Sequence, residues 1–154
     1  MTAHLISKPR TSEAYCAMVV LELYLANCSI ESSLRELIRL RVSQINGCAN
    51  CIDMHWKDAR AAGESEQRLY GLSAWQECPF YSERERMALN LAEHLTHLTD
   101  DGARESIHNQ AREQFENQEL DDLIWVIAAI NAWNRYSIGS RKVPGDYHPG
   151  ATTI

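Results

Sequence analysis

The residues best equipped for chemistry are Cys48, Cys51 and His55, in the run Gly47-Cys48-Ala49-Asn50-Cys51-Ile52-Asp53-Met54-His55. On a helix turning by roughly 100° per residue, these three side chains fall within about 60° of one another. Ile52, Ala59 and Ala62 share that arc, whereas Asn50, Asp53, Lys57, Arg60 and Glu64 cluster opposite. Two thiols and an imidazole therefore point with the apolar side chains, towards the interior. Cysteines three apart on a helix can close a small disulfide ring, and a helix N-terminus stabilises the thiolate that must attack. Such a thiolate can attack a peroxide, giving a sulfenic acid that the partner thiol resolves to a disulfide. It can equally exchange with another disulfide. A histidine beside it titrates near neutrality and can pass the proton.

Other uses of the same residues are open. A structural zinc site would take Cys48, Cys51 and His55, with Cys78 or another His as fourth ligand, although closed zinc sites usually draw ligands from two separate hairpins or loops. Two buried cysteines and a core histidine could also be purely structural. Attachment of c-type haem needs Cys-x-x-Cys-His; Ile52 stands in the histidine position, which excludes it.

The elements that must position these residues read as helices. After an irregular lead-in ended by Pro9, Thr11 or Ser12 caps a helix to about Cys28. Its apolar band holds Tyr15, Met18, Val19, Leu21, Glu22 and Leu25, and Cys16 and Cys28 read as small buried hydrophobes. Ser32 or Ser33 opens a second helix to Asn46, with a stripe of Leu34, Leu37, Ile38, Val42 and Ile45. Glu36 lies opposite that stripe, beside Leu40 and Ser43, so it reads as a surface carboxylate unless a second layer, such as a neighbouring subunit, covers it. Gly47 suits the left-handed position that closes a helix, because it has no Cβ to clash there. The third helix, with Cys48 in its first turn, stops at Gly63. A shorter one follows near residues 66–76, and Pro79 breaks it. Ser82-Glu-Arg-Glu85 then reads as a capping box opening a helix to about Leu98, with Met87, Ala88, Leu91 and Leu95 inside. His94 and His97 read as partly exposed and unligated. A polar helix over about 102–115 turns Ala103, Ile107, Ala111 and Phe115 inwards. The last helix, Glu119 to about Ile138, is apolar almost all round, which fits a central helix or one buried between subunits. The tail from Arg141 is irregular, and no stretch alternates as a strand would. The reading is an all-α, single-domain bundle of about six to seven helices over residues 1–154, with its core at about 12–140.

Bulk composition agrees. A chain of 154 residues can bury about two-thirds of its unfolded surface as one domain. Apolar residues make up 45% and charged ones 23%, ordinary for a globular protein. No apolar run reaches the ~18 residues of a membrane span, and the start of the chain lacks a signal-peptide core. The formal charge of −6 and the lack of a basic stripe argue against nucleic acid. Five cysteines, an odd number, fit poorly with a secreted disulfide framework and point to the cytoplasm.

Glu36, eleven intervening residues, Cys48-x-x-Cys51 and three more residues to His55 resemble the alkylhydroperoxidase-D-like (AhpD-like) branch of the carboxymuconolactone decarboxylase superfamily. The flanking Leu34-Arg-Glu-Leu-Ile, Ile45-Asn-Gly-Cys48, Lys57-Asp-Ala-Arg-Ala-Ala-Gly63, Ser82-Glu-Arg-Glu and Ala129-Ile-Asn-Ala-Trp-Asn-Arg135 fit too, so the resemblance covers about residues 12–140. It implies an all-helical fold assembled into trimers or hexamers, with peroxidase (peroxiredoxin-type) or disulfide-reductase activity and no bound cofactor or metal. Its partners would be a small-molecule hydroperoxide and a thiol/disulfide electron donor. Carried over by position, Cys51 attacks the peroxide and Cys48 resolves the product. Glu36, through His55 and a water, deprotonates Cys51. Asn50 stands where the best-studied branch has a His, so the relay here is shorter. Cys48 lies nearer the helix N-terminus, but that dipole is worth only about 0.3–1 kcal/mol, which a buried acid–histidine relay can outweigh. The alternatives are a zinc-binding or structural protein, or a decarboxylase or lactone-processing enzyme as elsewhere in the superfamily.

Overall fold

The Ser12 side chain accepts from the Tyr15 amide at 3.1 Å and caps α1, Glu13–Ala26. The computed structural model describes residues 12–98 and 104–150. The expected lead-in over 1–10, Thr11 and the inward Ala103 lie outside the described residues. Further helices are α2 (Ser32–Asn46), α3 (Ala49–Ala61), α4 (Glu66–Gly71), α5 (Glu83–His97), α6 (Arg104–Gln114) and α7 (Asn117–Gly139). A 3-10 segment, Leu72–Glu77, follows α4, and no strand occurs among the described residues. The fold is all-α, as the apolar spacing predicts. The expected capping box at Ser82 and Glu85 is formed, and Glu116 with Glu119 makes a second one before α7.

The core explains where α2 must lie. Leu34, Ile38 and Val42 face one apolar cluster, built mainly with α5 and α7. Leu37 and Leu40, on the other side of the same helix, are fully buried in a second cluster with Ala59, Leu69, Leu72 and Trp75. So α2 is buried on two faces rather than one. A single-stripe reading of its wheel undercounts the burial, because Leu37 and Leu40 form a second apolar surface beside the polar positions.

The α2–α3 junction is specified locally. Gly47 adopts φ +68°, the left-handed conformation expected of it. Its amide donates to Gln44 O and the Cys48 amide to Ser43 O, at 3.2 and 3.0 Å. This pair of bonds closes a helix in the Schellman manner. Cys48 is thus the residue just before α3 rather than in its first turn. It ends one helix motif and starts the next within a single residue. Ser43 is itself held, its hydroxyl donating to Arg39 O and accepting from Asn134 Nδ2 on α7.

The burial of Cys16 is not as expected. Cys16 is exposed, on an outer face of α1 that also shows Val20, Leu23 and Tyr24. The helix is apolar on both sides, and the chain alone covers only one of them. Ala62, expected inside, is exposed because it caps the end of α3.

Candidate active site

Cys48 and Cys51 are disulfide-bonded, with Cα atoms 5.3 Å apart, and both residues are about 1% exposed. One turn on, His55 is also buried. Its Nδ1 lies 2.8 Å from Glu36 Oε2 on α2. The structure therefore brings Glu36, Cys48, Cys51 and His55 together. Glu36, which reads as a surface carboxylate unless a second layer covers it, is covered by α3 of its own chain. Helix α3 crosses the face of α2 that carries Glu36, and only 15% of the carboxylate side chain remains exposed.

A chain of charges that was not read from the sequence completes the site. Arg39 Nη1 donates to Glu36 Oε1 at 2.7 Å, and Arg39 Nη2 donates to Glu22 Oε2 on α1 at 2.7 Å. Trp133 Nε1 on α7 in turn donates to the other Glu22 oxygen at 2.9 Å. Burial alone would raise the Glu36 carboxyl; the His55 hydrogen bond, with the His55 and Arg39 charges, overcomes this and holds it well below the usual carboxylate range. An ionised carboxylate only accepts hydrogen bonds, so His55 Nδ1 carries the proton of that contact. In the neutral form of the ring, Nε2 is then the basic nitrogen. One clue to this chain was visible: Glu22 sits inside the apolar band of α1, and a carboxylate there needs a cation.

Cys51 and His55 line a cavity of about 460 Å³, and Cys48 does not. Tyr15, Met54 and Trp133 supply apolar wall, with Trp133 edge-on to Tyr15 at 5.2 Å between ring centroids. Asn50, placed on the outer arc by spacing, borders the same cavity. So do Asp58 and Tyr147. The tail that reads as irregular runs across α3: Lys57 Nζ donates to Gly145 O and Tyr147 O at 3.2 and 3.1 Å. The Gly145 amide donates to Asp53 at 3.1 Å, and the Tyr147 hydroxyl donates to Asp58 Oδ1 at 2.7 Å. Glu36 also borders a smaller cavity of about 160 Å³, beside Ala59, Ala62 and Gly63.

Single ligand atoms of Glu36, His55 and Asp58 lie within 4.8 Å of one another, a cluster that contains neither sulfur. A cation placed there would meet the Arg39 guanidinium, already 2.7 Å from Glu36; the arrangement suits proton transfer better than a metal. Cys78, the fourth zinc ligand considered above, sits elsewhere, its thiol donating to Gly71 O at 3.6 Å beside the second core cluster. His94 is half-buried and His97 exposed. No helix among the described residues is long and apolar enough to cross a membrane.

Comparison with known proteins gives a consistent picture. Residues 9–94, more than half of the chain, match the carboxymuconolactone decarboxylase family. The chain is 48% identical over 121 residues to the uncharacterized protein YdfG of Bacillus subtilis, covering 79% of this chain and 82% of that one. A crystal structure from Agrobacterium tumefaciens, of a protein of unknown function named as a candidate antioxidant defence protein AhpD, superposes with a TM-score of 0.87. It is 36% identical and covers 94% of this chain and 100% of that one. An uncharacterized peroxidase-related protein from Silicibacter shares the fold, at 22% identity and a TM-score of 0.73 over 90% of this chain and 73% of that one. With the family match over the site and the Agrobacterium fold over nearly the whole length, the chain belongs to the carboxymuconolactone decarboxylase family as an AhpD-like member.

Proposed function

We propose that the protein is a thiol peroxidase that cycles Cys48 and Cys51 between dithiol and disulfide. The observation that carries this reading is Cys51, disulfide-bonded to Cys48, lining a cavity together with a His55 that an ionised carboxylate orients. Cys51 is the attacking thiol, because a hydroperoxide in the cavity meets it and not Cys48. His55 takes the thiol proton through Nε2 or a water, and Glu36 stabilises the imidazolium that forms. The Cys51 thiolate bonds to the terminal peroxide oxygen, the O–O bond breaks, and an alcohol leaves. Cys48 then attacks the Cys51 sulfenic acid and releases water, which gives the disulfide. A thiol electron donor returns the pair to the dithiol, in the cytoplasm and within a homo-oligomer of three or six single-domain chains.

The test counts free thiols on the reduced protein before and after one equivalent of peroxide, with metal content measured on the same sample. The reading requires that two thiols disappear and that metal is absent in stoichiometric amount. Inert thiols with one metal per chain would support a zinc-binding protein instead.

A further inference from the structure

The group that protonates the departing oxygen is still to be assigned. When the thiolate breaks the O–O bond, the departing oxygen leaves as an alkoxide, a strong base that needs an acid beside it. His55, once it holds the Cys51 proton, can return it, whereas Glu36 is held ionised and has none to give. Asp58 is the group not yet used. Cys51, His55 and Asp58 follow one another at i, i+4 and i+7 on α3, which places them along a single helix face. All three border the same cavity, and a carboxylate oxygen of Asp58 lies within 4.8 Å of the facing His55 and Glu36 atoms.

Building on the thiol-peroxidase reading, we propose that Asp58, oriented by the Tyr147 hydroxyl, is the acid that protonates the leaving oxygen of the hydroperoxide. Tyr147 donates to Oδ1 at 2.7 Å, so a proton on Asp58 rides on Oδ2. In the step, the Cys51 thiolate forms an S–O bond to the terminal oxygen of R–O–O–H. The O–O bond breaks with its electron pair on the inner oxygen, which takes the Oδ2 proton and leaves as R–OH. Cys51 becomes the sulfenic acid and Asp58 a carboxylate, reprotonated from solvent before the next turnover. Sulfur is oxidised by two electrons, and the peroxide is reduced by two.

The surroundings of the two carboxylates favour this division of labour. Burial pushes the Asp58 carboxyl up; the Tyr147 hydrogen bond pulls it down and the Glu36 charge adds to the rise. Glu36 moves the opposite way. Two carboxyls whose environments drive them apart are a common basis for separate acid and base roles. The charged and titratable groups around Asp58 are Glu36 and Arg39 from α2, His55 from α3, and Tyr147 and Lys142 from the tail, with Glu22 of α1 also at the cavity. Tyr147 is a positioning residue; burial and the Asp58 hydrogen bond push its own hydroxyl up, so it stays a neutral donor.

The test varies the leaving group. Tert-butyl hydroperoxide expels an alkoxide that needs a proton, whereas peracetic acid expels acetate, which does not. Formation of the Cys48–Cys51 disulfide is followed in single turnover on reduced wild type and Asp58→Asn. The variant should lose about 10²-fold or more with tert-butyl hydroperoxide and change only a few-fold with peracetic acid. Wild type should slow with the alkyl peroxide as rising pH ionises Asp58, and Asp58→Asn should lack that limb. Tyr147→Phe removes the hydrogen bond that favours ionised Asp58, so the limb should move to higher pH; this variant carries the test if Asp58→Asn does not fold. Equal slowing with both oxidants, no slowing with either, or an unmoved limb in Tyr147→Phe overturns the assignment. Wild type that forms the disulfide with peracetic acid and Asp58→Asn that matches it with both oxidants removes Asp58 alone. Wild type that reacts with neither oxidant removes the thiol-peroxidase reading as well.

Discussion

Glu36 Oε2 and His55 Nδ1 meet at 2.8 Å across the α2–α3 hairpin, joining a position that looks solvent-facing on its own helix to one that looks inward on the next. The contact is possible because Gly47 turns the chain in a single left-handed residue, so two helix faces that neither sequence pattern links are laid against each other.

Glu36→Gln should keep the fold and both thiols but slow the first oxidation by about 10²–10⁴-fold, as loss of a general-base assembly does. Raising the pH should restore part of the rate by ionising Cys51 directly. Stopped-flow measurement of disulfide formation against pH checks this; an unchanged rate and pH profile would remove Glu36 from the reaction.

The same carboxylate makes a prediction about stability. Its folded pKa lies below its unfolded value, near 2 against 4.5. The unfolded state therefore binds the proton first, and the stabilisation is present above the unfolded value and lost as pH falls through the folded one. Urea unfolding of wild type between pH 6 and pH 2, as an approximate range set by that linkage, should show a steeper acid loss than Glu36→Gln. Parallel curves would contradict the ionised, His55-paired state.

Much of this was legible in the residues. The Cys48-x-x-Cys51-x-x-x-His55 spacing places the three groups on one arc, and the Asn46-Gly47 break and the Ser82 capping box appear where the pattern puts them. What periodicity could not carry is whatever depends on a second helix. Glu36 reads as exposed because its wheel shows one stripe, while Leu37 and Leu40 serve a second core. Arg39 shares α2 with Glu36, but its second partner, Glu22, lies on α1, so the bridge between the two carboxylates is not legible from one helix. Tyr147 lies in a tail without periodicity, held by Lys57, Asp53 and Asp58.

Leu37 tests the two-core description of α2. It is fully buried against α3, α4 and the 3-10 segment, so Leu37→Ala should cost about 2–5 kcal/mol of stability. Chemical denaturation reads this directly; a loss well under 1 kcal/mol, of the kind surface positions show, would mean the second cluster is not packed as described.

Val20, Leu23 and Tyr24 on α1 and Trp125 and Ile138 on α7 are large apolar side chains left in solvent by the chain alone, at 48–66% exposure. Exposed apolar surface of this kind marks association, and wild type should run as a trimer or hexamer by light scattering. Leu23→Glu should dissociate it without unfolding the chain. A monomeric wild type at micromolar concentration would contradict the assembly.

Cys16, Cys28 and Cys78 are free thiols outside the Cys48–Cys51 pair. Replacing all three with Ser should leave turnover within a few-fold of wild type. Abolished turnover in a folded triple variant would place the resolving thiol elsewhere.

The most direct test of the central claim is where the first oxygen lands. Reduced Cys48→Ser protein, treated with one equivalent of hydroperoxide in the presence of a sulfenic-acid trapping reagent and mapped by peptide mass spectrometry, should carry the label on Cys51. Reduced Cys51→Ser should stay unlabelled at Cys48, because a serine hydroxyl is not ionised near neutral pH and the cavity reaches only position 51. Label on Cys48 in Cys51→Ser, with none on Cys51 in Cys48→Ser, would contradict the account and give the attacking role to the thiol at the helix N-terminus.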